Sequence, residues 1–570
     1  MKKILLITLL FLFNSLLVKS QITTGENPVS LELKNKFQLE RLALIELEIP
    51  NLQEIANMDK IMDEIPGTLR FAYPVLTNFN LENSGSWTDL DDGSKLWRLE
   101  LVLPGALSTH TIYDKFWLPD GAKFFVYNEK TQSFIGAVTS EFIDGTFENP
   151  KGYSTGILLG ETVIYEYYQP ATVKDKPIIE ISRIDYGYRF LNYVIDAIRP
   201  SKSGDSFQYT GNDAAWCQVN INCSPEGDNW QNDKNAVARI VLIFPDHSPT
   251  TKGSYWCTGA LVNNTKNDYA PFLLTANHCL SSRDSQIKFD ALGNNDIEHW
   301  IFYWHFEHTG CSNPGPFVRP PNYITRSTRG AMVIANDSPS DFALLKLKED
   351  PRTLINHSVT PYYLGWDATG SPGGSKGVCI HHPRGDVKKI STYNETPVST
   401  TYLNYSTIQN GTHWRIIYVE TGVNRHGVTE GGSSGAPLIN NNHKIIGQLN
   451  GGRSDCTEWQ HISTGVFYGK NQPDWFGKFS VSWNANSIPQ RQLKHWLAPA
   501  PSTTTVLNGL TVCPSITLFG TQTTKRVECR EIIIQNATVP SNTTLELNAT
   551  DRVIINSGFT VQSGATFIIE

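Results

Sequence analysis

The stretch Glu430-Gly431-Gly432-Ser433-Ser434-Gly435-Ala436-Pro437 sets a serine among glycines just ahead of an apolar run, Leu438-Ile439 and then Lys444-Ile445-Ile446-Gly447. Such a segment can carry a hydroxyl on a tight turn with backbone N–H groups beside it, the arrangement that holds an oxyanion. Taken alone it is equally a plain turn. Two other stretches give it chemistry. Phe272-Leu273-Leu274-Thr275-Ala276-Asn277-His278-Cys279 is an apolar strand running into a histidine, and Ser340-Asp341-Phe342-Ala343-Leu344-Leu345 opens another strand on an aspartate. A serine hydroxyl is a weak nucleophile until an imidazole takes its proton, and the imidazole needs a carboxylate to fix its tautomer and balance its charge. The chain carries the three in the order His, Asp, Ser. Singly they read as a core histidine, a strand cap and a glycine turn; together they point to acyl transfer.

Positioning those side chains takes strand ends brought together from distant parts of the chain. The strings Thr-Ala-x-His-Cys, Asp-x-Ala-Leu-Leu and Gly-x-Ser-Gly-x-Pro resemble those of chymotrypsin-like serine peptidases. Further strings narrow the resemblance: Cys223-Ser224-Pro225-Glu226-Gly227, Cys257-Thr258-Gly259-Ala260-Leu261-Val262-Asn263-Asn264-Thr265, Gly365-Trp366-Asp367, Ile380-His381-His382-Pro383 and Gly447-Gln448-Leu449-Asn450-Gly451-Gly452. Over about Cys217 to Pro499 the chain is similar to the bacterial lysyl endopeptidases, a secreted branch of the trypsin-like group. The resemblance implies a mainly β fold in which the catalytic domain is two antiparallel β-barrels. It implies His278 as general base, Asp341 as its orienting carboxylate and Ser434 as nucleophile, with the N–H groups of Gly432 and Ser434 as oxyanion donors. It also implies the disulfides Cys217–Cys456, Cys223–Cys311 and Cys257–Cys279, leaving Cys379 unpaired in a strand.

Departures from the wider group matter. Trypsins carry an aspartate before the nucleophile that pairs with the newly cut N-terminus; here that residue is Ser433, so maturation is expected to act by clearing the site. At Asn450 the family can carry a histidine. Six residues before Ser434, where trypsins place the aspartate that binds lysine or arginine, stands Val428. The charge must then come from elsewhere, and Asp474-Trp475-Phe476-Gly477-Lys478-Phe479 resembles the family stretch whose aspartate lines the pocket. Asp474, with Asn450, Gly451 and Gly452 on the facing strand and Val428, is the expected substrate-binding set, giving cleavage after lysine with arginine less favoured. The structural alternative is that Asp474 caps a turn after Pro473. The segment Thr457 to Pro473 is longer than in simpler relatives.

The remaining chain frames this domain. Met1 to Ser20 has the form of a secretory signal peptide, a basic end followed by a short apolar core, so the protein is expected to be secreted or surface-attached. No other run is long enough to span a membrane. Residues 21–209 read as a β-rich propeptide, the enzyme's own inhibitor, with an accessory domain as the alternative. Helix-permissive sequence at Leu31 to Met62 precedes strands such as Trp97 to Leu101 and Val163 to Tyr167. Ser201 to Thr210 is the expected processing region. The peptidase domain is placed at 210–499. Residues 500–570 read as a linker and a small ladder of short strands, similar to tail modules of secreted proteins from gliding Bacteroidetes-type bacteria and suited to secretion or cell-surface machinery; Cys513 and Cys529 are expected to pair within it.

All nine cysteines lie from Cys217 onward, which in an exported protein reads as disulfides. No metal motif is present, His305/His308 and His381/His382 read as structural, and no cofactor is expected. The net charge of −7 comes without a basic patch, which argues against nucleic acid. The expected partners are protein and peptide substrates. The rival readings are a catalytically inactive peptidase fold used as an adhesin or binding module, and a peptidase of broader Lys/Arg specificity.

Overall fold

A computed structural model describes residues 26–33, 42–63, 68–131, 133–189, 213–244, 252–280, 295–312, 326–357, 359–461, 464–499, 505–512, 515–523 and 525–569. The leader Met1 to Ser20, the processing region 201–210, most of the linker at 500–504 and Cys513 therefore lie outside the described residues. The chain falls into two compact units, one within Gln21–Pro514 and one within Ser515–Glu570.

In the first unit, apolar alternation in the N-terminal region builds a six-stranded sheet in which Lys95–Val102 lies antiparallel to Thr162–Gln169. The short helices Val29–Leu33 and Leu52–Asp63 flank its edge strand Leu44–Glu46 in the chain. A second sheet of eleven strands joins this region to the residues from 213 onward: Leu69–Asn80 pairs with Gly253–Leu261 on one side and with Ile178–Gly187 on the other. At that seam Ala72, Arg70 and Leu69 stand opposite Ser254, Tyr255 and Trp256. Phe71 stacks on Trp256 at 3.9 Å. Trp256, Tyr303 and Phe306 also surround the buried guanidinium of Arg239, whose charge the ring faces accept. The N-terminal region and the residues from 213 onward thus share one hydrophobic core.

A third sheet has ten strands, and its central path runs Lys389–Tyr393, Gly377–His381, Pro437–Asn440, Lys444–Gly452, Asp474–Lys478, His413–Ile416. Val506–Leu507 and Leu510–Thr511, beyond the expected boundary at 499, pair with Gly365–Asp367 and Tyr362–Tyr363. In the second unit, parallel strands stack in a ladder, with Lys525–Val539 against Thr544–Ile555. Its buried row includes Ile532, Ile534, Leu545 and Leu547. One turn of the ladder brings Arg552 onto Glu531 at 2.6 Å, 21 positions apart.

Where the N-terminal region meets the residues from 213 onward, two histidines, His110 and His299, are buried. The ring nitrogens of His110 have no hydrogen-bond partner among the described residues. His299 packs on the backbone of Gly152, and its carbonyl accepts a bond from Ser154 Oγ at 2.9 Å. Burial pushes His110 down to about 4, with Asp185 opposing and Arg183 reinforcing the shift. His299 is pushed to about 3 by burial and by Arg329, His110, Arg183 and Lys348. Both are neutral when folded and protonate more readily unfolded, so their contribution is complete above 6.5 and is lost as pH falls from 6.5 toward 4. Unfolding measured by urea titration across that range should show stability dropping by up to about 1.4 kcal/mol per pH unit per histidine. His299→Gln should flatten the slope. An unchanged slope would remove His299 from the acid response.

Candidate active site

The strand Phe272–Ala276 is buried along its length and lies antiparallel to Phe342–Leu347, with Ala276 opposite Phe342. That register sets the residue before Phe342 beside the turn after Ala276. Asp341 accepts the backbone N–H of His278 at Oδ1, 2.9 Å, and meets the ring Nδ1 at Oδ2, 2.7 Å. Its own carbonyl accepts the Asn277 N–H. Asp341 has a left-handed backbone, φ 53°, a conformation that Asp tolerates better than most residues. An ionised carboxylate can only accept, so the Nδ1 proton faces Asp341 and Nε2 is left as the basic nitrogen. Nε2 has no hydrogen-bond partner among the described residues. The disulfide Cys257–Cys279 joins the residue after His278 to the neighbouring strand.

The serine turn docks on the same strand pair. Thr258 donates its N–H to the Ser434 carbonyl and its hydroxyl to the Gly432 carbonyl, both at 2.9 Å. Gly435 has φ 82°, and a Cβ there would lie 2.2 Å from Thr275 Oγ1, so only glycine allows the turn to approach. The N–H groups of Ser433 and Gly435 are bonded to the carbonyls of Glu430 and Leu449. Those of Gly432 and Ser434 have no acceptor among the described residues.

A cavity of about 310 Å³ has both Ser434 and Asp474 in its lining, with Thr429, Glu430, Leu449, Gly451 and Gly452. Asp474 is fully buried at the start of its strand, opposite Gly452. It accepts bonds from Thr429 Oγ1, Ser454 N at 3.1 Å and Ser454 Oγ at 2.7 Å. No cation pairs with it among the described residues. Burial raises its pKa, and the hydrogen bonds from Thr429 and Ser454 pull the other way. A Cβ on Gly452 would stand 1.7 Å from Asp474 Oδ1.

Of the other sequence-derived site residues, Val428 lies behind the wall: its side chain is fully buried in the cluster that holds Cys217, Cys456 and Ala436, while its neighbour Thr429 lines the cavity. Asn450 meets Nε2 of His413 at 3.0 Å. His413 lies near enough to Asp341 for that charge to raise its pKa, though burial dominates and pushes it down to about 4. The structure forms Cys217–Cys456, Cys223–Cys311 and Cys257–Cys279; Cys379 is a buried free thiol, and Cys529 is disulfide-bonded.

The sequence reading left out several lining residues, Thr429 and Ser454 beside Asp474 among them. Trp459 and Tyr468 stack at 4.2 Å across the hairpin formed by the long 457–473 segment, and both reach the cavity. Asp63 and Leu69 enter it from the N-terminal region; Leu69 sits so close to Gly431 that a Cβ there would lie 2.4 Å from its Cγ. Nothing local in the sequence marks the approach of Asp63 and Leu69, which arises from pairing between distant segments, whereas the hairpin falls in the stretch whose length the sequence already showed.

Residues 211–469 match the family model described as lysyl endopeptidase, C-terminal domain. The lysyl endopeptidase of Pseudomonas aeruginosa is 25% identical over 401 residues, covering 68% of this chain and 74% of that protein. Among solved structures, Glu endopeptidase in complex with MPD aligns at 14% identity over 46% of this chain and 90% of its own, TM-score 0.23. The protease Anisep from Arthrobacter nicotinovorans aligns at 13% over 43% and 90%, TM-score 0.25. With its paired β sheets and the His278–Asp341 contact beside the Ser434 turn, the chain is a serine endopeptidase of the trypsin-like class. Within that class its similarity is to the lysyl endopeptidase-like branch.

Gly452→Ala is expected to displace Asp474 and lower kcat/KM for peptide hydrolysis by roughly 100-fold, the scale of a misplacement near 1 Å. Labelling of Ser434 by a fluorophosphonate should persist. Parental kcat/KM in the alanine variant would show that the space beside Asp474 is not used.

Proposed function

We propose that this chain is a secreted endopeptidase that cleaves peptide bonds on the carbonyl side of lysine through an acyl-enzyme on Ser434. The observation that carries the specificity is Asp474, a fully buried carboxylate without a cationic partner among the described residues, in the cavity that Ser434 also lines. A lysine ammonium supplies the missing charge, and the stem of the side chain passes the glycines Gly451 and Gly452. The Ser434 hydroxyl attacks the scissile carbonyl as His278 Nε2 takes its proton, with Asp341 stabilising the imidazolium. The N–H groups of Gly432 and Ser434 receive the oxyanion. His278 passes the proton to the leaving amine, and a water activated the same way releases the acid.

Residues 21–209 act as the inhibitory propeptide in this reading, supported by Leu69 and Asp63 in the cavity. The disulfides suit an oxidising compartment, and no helix among the described residues is long and apolar enough to cross a membrane. The leader provides export, and the ladder of Ser515–Glu570 is assigned to secretion or surface attachment.

Ser434→Ala should abolish hydrolysis, by several orders of magnitude in rate, with an unchanged melting curve. Asp474→Asn should lower kcat/KM for lysyl substrates by roughly 30- to several-thousand-fold, the loss of one partner of a desolvated ion pair, with labelling of Ser434 nearly unaffected. Steady-state kinetics on lysyl and arginyl peptides checks both. Equal turnover of lysyl substrates by the asparagine variant would remove Asp474 from recognition.

A further inference from the structure

The residue before the nucleophile needs a partner that holds the turn in place, and Ser433 is fully buried. Its hydroxyl lies 2.7 Å from Nδ1 of His381, at the end of the strand Gly377–His381. Nε2 of the same ring lies 3.0 Å from Ser391 Oγ on the adjacent strand. Ser391 Oγ donates to the Val428 carbonyl at 3.2 Å, and the Glu430 N–H donates to Ser433 Oγ at 3.2 Å.

A carbonyl can only accept, so the Ser391 proton goes to Val428. Ser391 must then accept from Nε2–H, which leaves Nδ1 as the acceptor for the Ser433 proton. One proton arrangement satisfies every link, and the chain Glu430, Ser433, His381, Ser391, Val428 starts and ends on the segment that carries Ser434. His381 and Ser391 are both fully buried. Burial, with Lys389 nearby, holds His381 down at about 3, so the ring is neutral wherever His278 can act as a base.

We propose that His381 is a positioning residue for catalysis: through Ser433 it holds the Gly432–Ser434 turn in the geometry that presents the two free N–H groups. This rests on Ser434 being the nucleophile. The link takes the place of the ion pair that trypsins make with a freed N-terminus, and it is already formed in the chain that still carries residues 26–189.

The test compares processed enzyme with Ser433→Ala, His381→Leu, His381→Asn and the Ser433→Ala/His381→Leu pair, each normalised by fluorophosphonate titration of active sites. Loss of one buried hydrogen bond predicts kcat lower by roughly 5- to 150-fold in Ser433→Ala, with KM little changed. The paired variant should lose no more than the worse single variant, and His381→Asn, which keeps an acceptor, should recover part of the rate. Ser433→Ala removes a single oxygen and keeps the proposal testable where His381→Leu does not fold. Parental kcat in Ser433→Ala, a loss confined to KM, or losses that multiply in the pair would overturn it. A Ser434→Ala enzyme that still hydrolyses peptides would instead refute the nucleophile assignment, a result none of the Ser433 or His381 variants can mimic.

Discussion

A carboxylate withdrawn from water with no cation beside it raises its own pKa and opposes folding, unless hydrogen bonds replace the lost hydration. Asp474 is in that position, at the start of a strand of the ten-stranded sheet. Thr429 and Ser454 donate to its oxygens from two different segments, and Gly452 is the one residue type that leaves room opposite. These hydrogen bonds oppose the rise that burial imposes on its pKa. The remaining imbalance is what a lysine side chain corrects in the proposed function, so the same desolvation that disfavours the empty pocket strengthens the filled one.

The reacting groups depend on a second constraint, strand register. Ala276 opposite Phe342 places His278 beside Asp341, and Thr258 on the neighbouring strand grips the serine turn by two carbonyls. That neighbouring strand, Gly253–Leu261, also pairs with Leu69–Asn80 of the N-terminal region. The same edge that braces the catalytic turn therefore carries the segment whose Leu69 enters the cavity. In the proposed function, folding support and occlusion of the site come from one pairing, and clearing the cavity takes the opening of that pairing and the loss of the Trp256–Phe71 stack.

The strings around His278, Asp341 and Ser434 were legible because each is local: an apolar strand, a turn residue and a reactive side chain within a few positions. Asp474 was legible only through its neighbours Trp475 to Lys478, since an aspartate after proline is otherwise an ordinary turn residue. The strands at Trp97 and Val163 followed from alternation of apolar and polar residues. What stayed hidden is non-local. An eleven-stranded sheet shared by the N-terminal region and the peptidase half leaves no mark on either sequence segment alone. The pairing of Val506–Leu507 and Leu510–Thr511 with strands near residue 365 lies in a stretch that composition reads as linker. His381 reads as a core histidine from sequence, and only the atoms around it reveal a chain of bonds that returns to the serine turn.

The central claim is that the charge on Asp474 selects the bond to be cut. Digestion of an unfolded protein of known sequence by the processed enzyme, followed by mass spectrometry of the new C-termini, addresses it without any choice of substrate. New C-termini that are overwhelmingly lysine, with arginine a minor class, are the predicted result; C-termini dominated by acidic or aromatic residues would contradict the account.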